Sequence, residues 1–190
     1  MKLNKEIEPF RASIEAVQRL LEKFDNRGVI IGGIAVGFLG RPRLTEDVDA
    51  MFLLSTQDIP KFLDAAKSEN IEPRISNADE FARKNRVLLL RHTLTETNID
   101  ISLGIMPFEE EIVERGIIQS TSTLSVRLPS PEDLIIMKAV AHRPKDLEDI
   151  RSIIDKHPAL DKNRIKQWVR SFADILEIPS LWTDIEGMFK

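Results

Sequence analysis

The sequence contains no cysteine and only three histidines, His92, His142 and His157. Without thiols there is no disulfide, no thiolate metal site and no cysteine nucleophile. No histidine pair has zinc-hydrolase spacing, which leaves a hard cation held by carboxylate oxygens as the metal type to look for. No apolar run approaches the roughly 20 residues that cross a bilayer, and the opening MKLNKEIEPF has no apolar signal region. The expectation is a cytoplasmic protein with no membrane partner. Positive charge is not in excess either. A formal net charge of −4 excludes a uniformly basic nucleic-acid coat but leaves room for a local basic patch. No internal repeat or low-complexity segment is visible.

What is present is an ordinary globular composition, 42% hydrophobic and 31% charged over 190 residues. That suits one domain, or one domain with a helical appendage. Phe10, Ile14, Val17, Leu20, Leu21 and Phe24 recur at helical spacing. VII followed by GG reads as a short buried strand entering a tight turn, with a short helix from about Ile34. RPRLT is a loop and DVDAMFLL a strand. DIPKFLDAAKSEN reads as a helix and ADEFARKNR as a shorter one. VLLLRHT and NIDISLG are strands joined by LTET, so an antiparallel hairpin is expected. FEEEIVERG is a helix and TLSVRLP a strand. At Ser130 the pattern changes: Ser130 as N-cap, Pro131 at the first helical position, then Glu132 and Asp133, open a stretch with only helical periodicity. The expected division is a mixed α/β core over residues 1–129 and a helical region over 130–190.

Asp47 and Asp49 interrupt an apolar strand. Residues two apart on a strand share a face, so these carboxylates stand side by side. Like charges that close repel and raise one pKa; a divalent cation between them reverses the penalty. Magnesium is suited to few carboxylates, with water and phosphate oxygens completing its shell. Asp100 lies on a strand otherwise built from Ile99, Ile101 and Leu103. If the two strands pair, Asp100 faces the other acids, and three carboxylates can hold two ions roughly 3.5–4 Å apart. Gly32 and Gly33 lack Cβ atoms, so a turn there can bring backbone N–H groups to a phosphate, with a helix N-terminus behind them. Each signal alone has an ordinary structural explanation: a turn, a solvated strand edge, a local cap. Their order along the chain is the unusual feature.

GGIAVGFLGRPRLTEDVDAMF, with NIDISLG later, resembles the polymerase-β-type minimal nucleotidyltransferases, and most closely the group containing AbiEii-type toxins of type IV toxin–antitoxin systems. Members commonly read GG-x-A, then R-x-T-x-D-[ILV]-D; here these are Gly32, Gly33, Ala35, Arg43, Thr45, Asp47, Val48 and Asp49. PSPEDLIIMKAVAHRPKDLEDIRSII resembles the helical motif of the group, with Lys138 followed by Ala141, Arg143, Lys145, Asp146, Asp149 and Ile150. The resemblance implies an α+β fold: a nucleotidyltransferase-like mixed sheet flanked by helices, followed by a C-terminal helical region. It implies an enzyme that moves a nucleoside monophosphate from an NTP to an acceptor hydroxyl and releases pyrophosphate.

By the same resemblance Asp47, Asp49 and Asp100 are the catalytic and metal-binding acids, with Mg2+ or Mn2+ as cofactor, and Asp100 helps deprotonate the attacking hydroxyl. Gly32, Gly33, Arg43, Thr45, Lys138 and Asp146 form the nucleotide site, with Lys138 approaching the phosphates and Asp146 orienting it or nearby groups. The acceptor stays open between RNA such as tRNA, a protein and a small molecule such as an aminoglycoside, and a cognate antitoxin is a candidate partner. The alternatives are a non-catalytic nucleotide- or RNA-binding interaction protein with a vestigial site, and a carboxylate–metal phosphohydrolase.

Read without the family, Lys138 is as well explained by a lysine that snorkels from an apolar helix to solvent. Lys145, Asp146, Glu148, Asp149 and Arg151 read as a charged, solvated face. Lys162, Arg164, Lys166 and Arg170 make a basic stripe beside Trp168, expected as an exposed face over a core tryptophan rather than an RNA grip.

Overall fold

The computed structural model describes residues 5–189. A short 3₁₀ turn, Glu8–Phe10, leads into α1 (Arg11–Lys23). Ile14, Val17, Leu20 and Leu21 form its buried stripe. Strand β1 (Gly28–Ile30) enters α2 (Gly32–Leu39), which returns through a loop into β2 (Asp47–Phe52). The helix begins at Gly32, not near Ile34 as the sequence suggests; both glycines lie in its first turn. Then come α3 (Ile59–Lys67), β3 (Ile71–Pro73), α4 (Ala78–Asn85), β4 (Val87–His92) and β5 (Thr97–Leu103).

These strands form one five-stranded sheet in the order β1-β2-β5-β4-β3. β4 and β5 pair antiparallel, as their spacing suggests, while β2 and β5 run parallel. A parallel pair needs a long crossover, and the segment through α3, β3, α4 and β4 supplies it. β3 has no counterpart in the sequence reading. It is three residues long, at the sheet edge, and ends at Pro73, where a missing N–H is tolerated.

The two faces of the sheet differ in composition. Val48, Ala50, Ile99, Ile101, Leu88 and Leu90 point to one side and are fully buried. Asp47, Asp49, Asn98, Asp100 and Ser102 alternate with them on β2 and β5 and are only partly buried. Burying the first set fixes the register, and that register turns the acids to the opposite side.

After β5 come α5 (Pro107–Glu114) and a separate hairpin, β6 (Ile117–Ser120) with β7 (Ser125–Leu128). β6 was also missed in sequence. From there the described residues contain helices only: α6 (Pro131–Ala141), α7 (Pro144–Lys156), α8 (Lys162–Leu176) and α9 (Ser180–Glu186). Ser130 caps α6, its hydroxyl accepting from Asp133 N at 3.1 Å and donating to Asp133 Oδ2 at 2.8 Å. No helix among the described residues is long and apolar enough to cross a membrane.

The expected basic stripe on α8 is not one solvated face. Arg164 has a side chain only 14% exposed and reaches Asp133 Oδ1 at 2.7 Å and Glu111 Oε2 at 2.6 Å. It ties α8 to both α6 and α5. Trp168 packs at 4.8 Å between ring centroids on Phe108 and at 5.8 Å on Phe172. Periodicity places a residue on a helix face but does not say which buried acid waits opposite.

Candidate active site

β2 presents Asp47 and Asp49 on one face, and parallel pairing sets Asn98 against Asp47 and Asp100 against Asp49. All three expected acids are therefore neighbours across two strands. The double glycine closes on the same point. Gly32 has φ +64°, which disfavours any side chain, and a Cβ there would lie 2.7 Å from Asp49 Cγ and 2.8 Å from Asp49 Cβ. A Cβ on Gly33 would lie 2.6 Å from Thr45 Oγ1. That hydroxyl donates to Asp47 Oδ1 at 3.2 Å and to the Asp47 carbonyl at 3.3 Å. Turn, loop and strand thus form one interlocked wall. Gly32→Ala is expected to destabilise the fold by about 1–3 kcal/mol from the backbone conformation alone and to push the Asp49 carboxylate aside. An unchanged thermal unfolding midpoint would contradict this.

This wall borders a cavity of about 390 Å³. Gly32, Gly33, Arg43, Thr45 and the three aspartates line it on the sheet side, and Met137, Lys138, Arg143 and Lys145 on the helical side. Another opening, of about 440 Å³, lies beyond the C-terminal ends of β2 and β5, against Phe24, Phe52 and Lys61. It has no convergence of glycine turn and paired acids, so the chemistry is read from the first.

The acids feel one another. Burial, then the charges of Asp47 and Asp100, push the Asp49 carboxyl up to about 6, against the pull of Lys138 and Arg143. Burial likewise raises Asp100, with Asp47 adding and Arg74 opposing. Arg74 Nη2 donates to Asp100 Oδ1.

The helical wall is a chain of buried charge. Lys138 Nζ lies 2.9 Å from Asp146 Oδ1 and 3.0 Å from Asp149 Oδ2. Arg43 forks onto Asp149 at 2.8 and 3.0 Å, and Arg143 Nε reaches Asp146 Oδ2 at 2.6 Å. Lys138, Asp146 and Asp149 are all buried. The charged face expected of α7 is therefore half interior: Asp146 and Asp149 turn inward because three cations meet them there. Asp146 does not line the cavity; it holds two residues that do, Lys138 and Arg143. Lys138 does not snorkel to solvent. Burial raises the Asp146 pKa, but hydrogen bonds from Arg143 and Lys138 outweigh it and hold the group below the usual carboxylate range.

Sequence reasoning gave no role to three residues at or beside the acids, of which only Arg143 was named, as a motif position. Asn98 and Arg74 each keep a buried polar atom, Oδ1 and Nε respectively, without a hydrogen-bond partner. Arg143 donates to the Asp146 carboxylate and lines the cavity. Asn98 was legible, two residues before Asp100 on the same face. Arg74 was not, because it follows the unrecognised β3.

Asp47 and Asp49 are hard oxygen donors, side by side, with an unbalanced charge that raises one of them. Among the described residues no group of three acidic or histidine side chains gathers closely enough to enclose an ion alone. That fits a cation which takes two carboxylates and completes its shell with phosphate and water oxygens; it does not fit an all-protein cage.

A family model described as "Nucleotidyltransferase of unknown function (DUF6036)" matches residues 9–174. The chain belongs to this family. The match spans α1 to α8, including both walls of the cavity. Solved structures share the fold of this DUF6036 member at low identity. One is an antigenic nucleotidyltransferase-like protein from Paracoccidioides brasiliensis: TM-score 0.54, 16% identity, covering 96% of this chain and 92% of that one. Another is ANT(2″)-Ia in complex with adenylyl-2″-tobramycin: TM-score 0.55, 15% identity, covering 86% and 98%. No curated protein matches the chain significantly. The mixed sheet flanked by helices is thus a nucleotidyltransferase fold. Membership of the AbiEii-type group in particular has no support from these matches.

Proposed function

We propose that this DUF6036 protein is an active, magnesium-dependent nucleotidyltransferase that moves a nucleoside monophosphate from an NTP to an acceptor hydroxyl. The observation that carries the reading is the contact between Gly32 and Asp49. A turn able to receive a triphosphate and a strand bearing paired acids share one wall, and neither admits a larger residue at position 32.

The backbone N–H groups at the start of α2 face the phosphates, aided by the positive end of the helix. Lys138 and Arg143, held by Asp146, supply fixed positive charge on the opposite side, and Arg43, held by Asp149, supplies it beside Gly33. Magnesium, when bound at Asp47 and Asp49, would activate the acceptor oxygen and neutralise triphosphate charge. The acceptor oxygen attacks the α-phosphorus; a P–O bond forms there, the bond to the β-phosphate oxygen breaks, and pyrophosphate leaves. Arg74 bonds only Oδ1 of Asp100, so Oδ2 is the atom that takes the acceptor proton. Its raised pKa suits that task.

On the motifs GG-x-A, R-x-T-x-D-V-D and the lysine helix, we place the protein beside the AbiEii-type toxins, in the cytoplasm, with a cognate antitoxin as candidate partner. The acceptor classes to test are tRNA, protein and small molecules; the fold neighbour with adenylyl-tobramycin motivates the last. The intact acids favour catalysis over a vestigial binding site. Incubation with α-labelled NTPs, magnesium and a cell extract is expected to label an acceptor. Asp47→Ala is expected to abolish the label. NTP binding without transfer in any fraction would instead favour the non-catalytic reading, and free phosphate without a labelled acceptor would favour a hydrolase.

A further inference from the structure

Three carboxylates facing one another suggest a site for two divalent ions, but the third is already engaged. Arg74 donates from Nη2 to Asp100 Oδ1. The contact is built into the sheet. Arg74 follows β3, and its backbone N donates to Leu89 O at 2.9 Å. Leu89 in turn is the register partner of Asp100. The guanidinium therefore reaches across β4 from a backbone pinned in register, and strand spacing of about 4.8 Å puts Asp100 within an arginine's length. The pair is partly shielded from solvent, with side chains 23% and 34% exposed, so it is not a fully solvated surface pair of little worth.

The neighbouring cations offer no substitute. Lys138 is committed to Asp146 and Asp149, and Arg143 to Asp146. Asp47, Asp49 and Asp100 with Arg74 leave two negative charges, which one divalent ion balances.

We infer that Arg74 stands in for a second cation at Asp100, so that the protein side of the site takes one divalent ion, at Asp47 and Asp49. This rests on the magnesium-dependent reading above. Arg74 is a positioning residue: it fixes Oδ1, leaves Oδ2 toward the acceptor, and supplies permanently the charge that a second ion would bring. Arg suits this because it stays protonated and its fork is planar and pre-organised.

The test counts Mn2+ ions bound per chain to the full-length protein without nucleotide, by electron paramagnetic resonance titration. The wild type is expected to bind one. Arg74→Met removes the charge at similar length and is expected to raise the count to two, while Arg74→Lys keeps the charge and the count of one. Two ions in the wild type overturn the inference whether or not the variants fold. So does a count of one in a folded Arg74→Met, or of two in Arg74→Lys. No bound Mn2+ without nucleotide, but binding with a non-hydrolysable NTP analogue, would overturn the inference alone; no bound Mn2+ in either condition would overturn the metal reading itself.

Discussion

Asp49→Asn is expected to unfold at a higher temperature than the wild type at pH 8 while losing nucleotidyl transfer. An ordinary aspartate titrates near 3.8, and here burial and two like charges hold Asp49 near 6. The folded state therefore favours the protonated form. Well below pH 3.8 the group is protonated in both states and costs nothing; as pH rises from there to about 6 the unfolded chain ionises it before the fold does, and the full penalty stands above 6. Asparagine never ionises. Its advantage should be about 1–2 kcal/mol at pH 8 after allowing for the partial exposure of the site, a midpoint gain of roughly 2–8 °C, and should vanish below about pH 3. Magnesium should stabilise the wild type at pH 8 and leave the variant almost unmoved, because the cation removes the repulsion that the substitution has already removed. Transfer should fall by at least ~10²–10³-fold. A midpoint difference independent of pH would contradict the electrostatic account of the acids.

Asp146→Ala should have the largest effect on stability. Asp146 is fully buried and accepts from both Lys138 and Arg143. Removing one partner of a buried ion pair costs about 3–5 kcal/mol, because the remaining charge is stranded. Lys138 keeps Asp149 at 3.0 Å, so the lower end applies: about 3 kcal/mol, or roughly 6–12 °C in midpoint. Arg143, whose side chain is 57% exposed, turns to water. Lys138→Met combined with Asp146→Leu should recover most of the loss, since the apolar pair leaves no stranded charge. Denaturant unfolding of both variants checks this, and equal destabilisation in the two would show that the network is not what holds α6 to α7. Nucleotide affinity should fall in both, as neither presents Lys138 and Arg143 in place.

The grouping of the three acids was legible because strand alternation is a local rule. Asp47 and Asp49 share a face by chain geometry, and Asp100 joins them once Ile99 and Ile101 are committed to the core. The hairpin of β4 and β5 and the capped start of α6 were legible for the same reason: each is specified by residues close together in sequence. What escaped depends on residues far apart. From periodicity alone Asp146 and Asp149 look solvated; the family resemblance set Asp146 to orient Lys138, as it does, but nothing near Asp149 in sequence reveals that Arg43 meets it inside. Arg164 looked like part of an exposed stripe because Asp133 and Glu111 belong to other helices. β3 is too short for periodicity, and Arg74, which depends on it, had no signal at all. Start sites of helices slip for a different reason: glycine reads as a turn, yet Gly32 and Gly33 form the first turn of α2, where the approach of Asp49 and Thr45 excludes side chains.

The central claim is that the glycine turn and the paired acids form one pocket for a metal-bound triphosphate. A crystal structure grown with Mn2+ and a non-hydrolysable NTP analogue tests it most directly. The expected result is an anomalous manganese peak between Asp47 and Asp49, with the triphosphate lying over Gly32 and Gly33. Manganese bound away from these two aspartates, or a triphosphate seated elsewhere on the protein, would contradict the account.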